Sequence, residues 1–423
     1  MLKSSVLFLL ILEAVLALWL LYRDGLVKKP WVAVVCAVLM AFAMAMRGSV
    51  FDMQTGDYRD FLYRWVTFYK ENGGFRAFGT PPPYCNYHVP YLYFLALFSY
   101  LPLQDLYLIK LLSLLFDILL AWAAVKLLGR VTRSRILRLA CFFTVLFWPT
   151  VFLNSAVWGQ CDSIYVAFAL MGIWLALEGK PSASMVMMAL SFSFKLQAIF
   201  VLPVCAVLWI YGKYTWKHFL IFPLTYVLVV LPAILLGRPV WETLGFYLFQ
   251  TGSIGAGLNY NSPSIFAILW RIPAEQQDQA AKLAIGAASL YLLNLLGLAW
   301  IKRRELTDRA VLALALMMTI GLPFLLPHMH DRYFYAADVL AVVLAFAIPP
   351  LFLTAPLVDF ASLLGYYAYL SFYFSDRGGH YLLPMWYGSY ALLAALLLAL
   401  LGFLFSLSRK SAGGKRKSRS PAK

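Results

Sequence analysis

Four short stretches of this sequence bring together side chains able to do chemistry. In "FDMQTGDYRDFLYRW", residues 51–65, Asp52, Asp57 and Asp60 offer carboxylates, with Arg59 and Arg64 in reach as counter-charges. Gly56 before Asp57 suggests a turn opening a helix. The positive end of the helix dipole favours an ionised Asp57, the form a general base needs; the plainer reading is a helix cap. In "NSAVWGQCDSIYVAF", residues 154–168, Trp158, Gln160 and Asp162 combine an aromatic platform, an amide and a carboxylate. That set suits a sugar's apolar face and hydroxyls, and equally an interfacial tryptophan with solvated neighbours.

In "FSFKLQAIFVLP", residues 192–203, Lys195 and Gln197 interrupt an apolar run. An ionisable group at membrane depth must be paired or face water, which makes it a functional candidate; snorkelling to the interface is the alternative. In "PHMHDRYFYAAD", residues 327–338, His328, His330, Asp331 and Arg332 gather at a helix entrance. Arg332 can fork onto a phosphate or a carboxylate. The two histidines with Asp331 could instead ligate a metal, although no remote fourth ligand is evident. A third reading is an interfacial ion pair between Arg332 and Asp331 or Asp338.

The elements that must position these groups are membrane helices. Of 423 residues, 63% are hydrophobic and 13% charged, about half the charged share of a soluble chain. Apolar runs near the length that crosses the hydrocarbon core fall at about 5–22, 31–46, 106–128, 139–153, 163–177, 183–194, 197–211, 219–236, 281–301, 309–326, 333–350, 355–374 and 383–407. The expected fold is therefore an all-α polytopic bundle of about thirteen transmembrane helices. The pair 183–194 and 197–211 is expected to be a helix broken at Lys195. The stretch 88–103 reads as a re-entrant or surface helix inside a long loop, 48–105, that carries amphipathic helices.

The net charge of +16 does not indicate nucleic acid, because its basic residues sit in short loops: Arg23 to Lys29, Arg130 to Arg138, Lys213 with Lys217, Lys302 to Arg304, and the tail 409–423. That distribution follows the positive-inside rule. It places the basic, disordered tail in the cytoplasm and the loops 48–105, 154–162, 237–280, 327–332 and 375–382 outside. Residues 1–408 then form one transmembrane domain with its function on the outer face. Five dispersed cysteines make no disulfide framework.

Taken in order, "SVFDMQTGDYRDFLYRWVTFYKENGGFRAFG", "NYHVPYLYFLALF", "LNSAVWGQCDSIYVAFAL", "SFKLQAIFVLP" and "LPHMHDRYFYAADVL" resemble bacterial membrane glycosyltransferases of the GT-C class. The nearest likeness is to mannosyltransferase-like proteins related to the enzyme adding the second mannose of GPI anchors. A looser one is to dolichyl-phosphate-glucose-dependent glucosyltransferases. The resemblance implies transfer of a hexose, mannose or glucose, from a polyprenyl-phosphate-linked donor to a lipid-linked or cell-envelope glycan, outside the bacterial cytoplasmic membrane and with inversion. Gly56-Asp57-Tyr58 matches the setting of the catalytic carboxylate, so Asp57 is the expected general base. Arg332, Lys195, His330 and His328 are the expected ligands of the donor phosphate. Tyr58, Tyr87, Trp158, Gln160, Asp162, Gln197 and Asp331 are the expected sugar and acceptor contacts. No cofactor and no obligatory metal is expected, since cations can stabilise the departing phosphate. The partners implied are the lipid donor, the glycan acceptor and membrane lipids. One departure is Asn86, where relatives often carry an acidic residue before the tyrosine of "NYHVPY". The competing readings are a transporter or flippase of lipid-linked sugars, with broken helices of the transporter kind, and a polysaccharide polymerase or ligase using a diphosphate-linked donor.

Overall fold

The computed structural model describes residues 4–251, 257–374 and 380–407. The basic tail 409–423 lies outside the described residues, as do parts of the loops 237–280 and 375–382. Nearly every described element is helical; a two-residue parallel bridge pairs Asn259 with Met329 and Tyr260 with His330.

Among the described residues, eight helices are long and apolar enough to cross a membrane. The pair Arg135–Phe147 and Pro149–Trp158 makes a ninth if its 48° bend is counted within one span. Pro149 begins the second piece, as expected of a residue that cannot donate into the preceding turn. The remaining apolar runs form shorter helices, Asp162–Leu177, Pro181–Phe194, Leu196–Ile210 and Tyr335–Ala347. Each falls where the sequence predicts an element, but none alone has the length of a full span. The helix Val89–Phe98 is also short, with most of its side chains buried.

The helix Asp105–Leu128 is central. It packs against Ser4–Arg23, Arg135–Phe147, Asp162–Leu177 and Tyr335–Ala347, and 83% of its apolar window is buried, against 28% for each of the two N-terminal helices. Those two present most of their apolar surface outward, as lipid-facing helices do. Two buried cations tie the N-terminal region to this centre. The Arg47 guanidinium donates to Asp117 Oδ2 at 3.0 Å and to the Leu146 carbonyl at 2.7 Å. Lys110 Nζ donates to the carbonyls of Val50, Phe51 and Met53 at 2.8–3.0 Å. Lys110 and Asp117 are thus structural, each with a different partner from the other.

The basic loops meet at one end of the bundle. Arg130 pairs with Glu178 at 3.2 Å and Asp308 at 3.1 Å, Lys126 with Asp24 at 3.2 Å, and the Tyr211 hydroxyl donates to Asp308 at 3.1 Å. The four polar stretches around Asp57, Trp158, Lys195 and Arg332 gather at the other end.

Candidate active site

Two wide helical turns and one helix break carry the site. Asp57 begins a π-helical turn, Asp57–Leu62, which continues as the helix Tyr63–Glu71. A second π-helical turn, Leu153–Trp158, ends at Gly159, whose φ of 76° lies in the left-handed region. Such turns are uncommon and concentrate at functional sites. Here Gly159 reverses the chain so that Trp158 and Gln160 both face Asp57. Thr55 joins the turns by donating from its hydroxyl to the Trp158 carbonyl at 3.2 Å. Gly56 is helical in backbone, and the need for glycine there is space: a Cβ would collide with the Tyr373 hydroxyl.

Asp57 is held on three sides. Its Oδ2 accepts from Trp158 Nε1 at 3.0 Å and Gln160 Nε2 at 2.6 Å. Its Oδ1 accepts from the Tyr369 hydroxyl at 3.0 Å, and that oxygen in turn accepts the Asp57 backbone N–H at 3.2 Å. A carboxylate offers about four lone-pair positions, so one remains beyond these three. Asp57 lines a cavity of about 350 Å³ together with Tyr87, Gln160, His330, Asp331, Arg332 and Tyr369. The Tyr87 hydroxyl donates to Gln160 Oε1 at 2.9 Å, fixing the amide so that its N–H faces Asp57. The Trp158 ring stacks on Tyr369 with centroids 4.0 Å apart, and the Arg332 guanidinium lies over it at 5.0 Å.

A second lobe of about 380 Å³ adjoins the first and shares Asn86, Tyr87, Tyr260, His330 and Arg332 as walls. Lys195 and Gln197 line it. Lys195 is the extended residue between Pro181–Phe194 and Leu196–Phe200, the break expected from the sequence. Its Nζ meets Asp162 Oδ1 at 2.6 Å. Gln197 Oε1 is buried without a hydrogen-bond partner.

Arg332 joins the lobes, with three carboxylates around it: Asp331 at 3.5 Å, Asp162 at 3.7 Å and Asp57 at 3.9 Å. Burial opposes its charge, but Asp57, Asp331 and Asp162 outweigh burial and hold the guanidinium firmly protonated. Burial pushes the Asp331 carboxyl up to about 7 against the opposing pull of Arg332. Burial, with Arg332 adding to it, lowers His330 to about 4, so its ring is neutral near pH 7. The His330 ring stacks on Tyr260 at 4.7 Å, in register with the bridge that pairs their backbones.

The other expected site residues are placed differently. Asp162 and Trp158 stand behind the cavity wall, not in it: Asp162 is 1% exposed, and its Oδ2 accepts from Asn154 Nδ2 at 2.9 Å. Tyr58 is buried against Tyr63, away from the lobes. His328 turns its Nδ1–H to the Gly257 carbonyl at 2.7 Å, with its own φ at 63°, and lines neither lobe. Asn86 lines both lobes, where its amide leaves the wall uncharged. Among the described residues no cluster of three His, Cys, Asp or Glu side chains has the arrangement to hold a metal ion. Tyr369 and Asn154 were missed from the sequence. Tyr369 sits inside an apolar run, where a tyrosine reads as an interface anchor. Asn154, in the Trp158 motif, carries no signal of its own: its task appears only in its contacts with Asp162 and Tyr366.

The described residues form an integral membrane helix bundle with a carboxylate and two cations around a polar cavity at one end. The model of glycosyltransferase family 87 matches residues 86–327, more than half of the chain. The chain belongs to that family and is a membrane glycosyltransferase. The match spans Tyr87, Trp158, Gln160, Asp162, Lys195 and Gln197, whereas Asp57, Arg332 and Tyr369 lie beyond its ends. No curated protein matches the chain.

Proposed function

We propose that the protein is an inverting hexosyltransferase that uses a polyprenyl-phosphate-linked mannose or glucose. Asp57 removes the proton from an acceptor hydroxyl as that oxygen attacks the anomeric carbon. The bond from that carbon to the phosphate oxygen breaks, and the polyprenyl phosphate departs with the electron pair. Arg332 and Lys195 meet the developing negative charge, and the neutral His330 ring supplies one N–H. The acceptor is a lipid-linked or envelope glycan. The observation that carries this reading is the three-point hold on the Asp57 carboxylate at the edge of a cavity whose far lobe contains Lys195. A general base must be held within reach of the proton it takes, and a leaving phosphate is stabilised by cations such as Lys195 in the far lobe.

We read the architecture as a GT-C-like bundle of one transmembrane domain, residues 1–408. The basic loops at the opposite end support our reading that the cavity faces the extracytoplasmic side of a bacterial cytoplasmic membrane. Two cations at the phosphate are enough for departure without an obligatory metal.

The test is transfer by the purified full chain with a panel of polyprenyl-phosphate hexoses and matched polyprenyl-diphosphate sugars, with products identified by mass spectrometry. Product from a monophosphate donor with inverted anomeric configuration is expected. Product from diphosphate donors alone would replace this reading with that of a polymerase or ligase.

A further inference from the structure

Asp162 is the best-buried charge near the cavity, and its geometry does not suit contact with a sugar. Both of its oxygens are engaged on the protein side, Oδ1 with Lys195 at 2.6 Å and Oδ2 with Asn154 at 2.9 Å. It lines neither lobe, whereas Lys195 lines one and Arg332 lines both. Arg332 Nε, at 3.7 Å from Asp162 Oδ2, has no hydrogen-bond partner in its buried position. Asp162 therefore sits behind two cations whose other sides face the cavity. Asn154 is itself fixed by the Tyr366 hydroxyl, to which it donates at 2.8 Å, so the carboxylate is anchored from the bundle interior.

We propose that Asp162 is a positioning residue that holds the Lys195 ammonium and the Arg332 guanidinium, charged and side by side, at the back of a phosphate-binding lobe. The inference rests on the reading of that lobe as the seat of the donor phosphate. A buried ammonium without a counter-ion is strongly disfavoured relative to the neutral amine, and two adjacent buried cations repel each other. Asp162 removes both penalties before any ligand arrives, and because its oxygens are already occupied it does not compete for the phosphate. The groups facing Lys195 are few. Cys161 and Asp162 approach from the start of the helix Asp162–Leu177, and Tyr87 lies under the ammonium at 5.7 Å. Arg332 and His330, from the loop before Tyr335–Ala347, line the same lobe as Lys195. Asp162 is the only carboxylate among these in direct contact with Lys195 among the described residues.

The experiment measures binding of farnesyl phosphate to the full chain in nanodiscs at pH 6 and pH 9, with each variant's Kd taken as a ratio to wild type at the same pH. In Asp162→Asn the amide keeps the shape and loses the charge, and burial then favours a neutral Lys195 as pH rises. The ratio is expected to grow from a few-fold at pH 6 to about ten-fold or more at pH 9, since each decade is only about 1.4 kcal/mol. The double variant Asp162→Asn with Lys195→Arg should show the same ratio at both pH values, because arginine stays protonated. A merely structural Asp162 would give a pH-independent ratio and no rescue, and that result overturns the proposal. If Asp162→Asn does not fold, Asn154→Ala replaces it: a folded Asn154→Ala chain that binds farnesyl phosphate as wild type does also overturns it. A wild-type chain that binds farnesyl phosphate but transfers no sugar refutes the proposed function and leaves this inference standing. A wild-type chain that does not bind it refutes both.

Discussion

Replacing Asp57 by asparagine removes one proton acceptor and almost nothing else. The asparagine oxygen can accept from Trp158 Nε1 and Gln160 Nε2 as Oδ2 does, and its amide can donate to the Tyr369 oxygen once that hydroxyl rotates. What is lost is the charge-assisted part of three hydrogen bonds and a carboxylate 3.9 Å from Arg332. That loss costs stability on the order of 1–2 kcal/mol, a shift of a few degrees in melting temperature. The rate effect is far larger. General base catalysis contributes about 10²–10⁴, which is about 3–5 kcal/mol of barrier at 1.36 kcal/mol per decade. Donor affinity should not fall, because removing a carboxylate beside Arg332 leaves more positive charge for the phosphate. The expected pattern is a kcat lowered by at least about 10² with the donor KM unchanged or lower, the signature of an interaction made only in the transition state. The assay is transfer from the polyprenyl-phosphate hexose that wild type uses, in detergent, beside a thermal melt. A folded Asp57→Asn chain with a kcat within ten-fold of wild type would refute the role of Asp57 as base.

Arg332→Lys should cost at least about ten-fold in kcat/KM, because an ammonium cannot stack over Trp158 and reach three carboxylates with one planar fork. Recovery of wild-type kcat/KM by that variant would show that only charge matters there. Thermal stability should depend on pH through two neighbours. Asp331 is raised to about 7 in the fold, so the folded chain holds a proton the unfolded chain releases near 4, and stability falls as pH rises through 7. His330 is lowered to about 4, so its contribution is complete above about 6.5 and lost as pH falls toward 4. From pH 4 to about 6.5 the two slopes oppose each other, so melts should be nearly flat there with a small fall toward pH 7, and Asp331→Asn should leave a stability that rises with pH up to about 6.5. Arg47→Ala should destabilise by about 3–5 kcal/mol by leaving the buried Asp117 without its cation, read as a lower melting temperature or loss of folded yield.

The helical bundle was legible because membrane spans are written in composition and length, and all the expected apolar runs became helices. Their number as full spans was not, because Asp162–Leu177, Pro181–Phe194 and Tyr335–Ala347 stop short where polar turns enter the bundle. Those interruptions are the site. Gly159 and Lys195 stand where a helix ends early and Arg332 stands in the loop just before Tyr335–Ala347, and each interruption is tolerable only because protein or a polar cavity satisfies the freed backbone.

The residues that make the cavity were therefore legible in kind, while their partners were not. Asp57, Gln160, Lys195 and Arg332 announce themselves as polar groups in apolar sequence. Nothing in the sequence says that the Lys195 ammonium meets Asp162, thirty-three positions earlier, or that Tyr369 reaches Asp57 across 312 positions. Pairings of that kind are set by how helices cross, which local pattern does not encode. They also decide function here. A lysine and an aspartate read separately suggest one phosphate ligand and one sugar ligand. Read as a buried pair, they suggest one ligand and the group that keeps it charged.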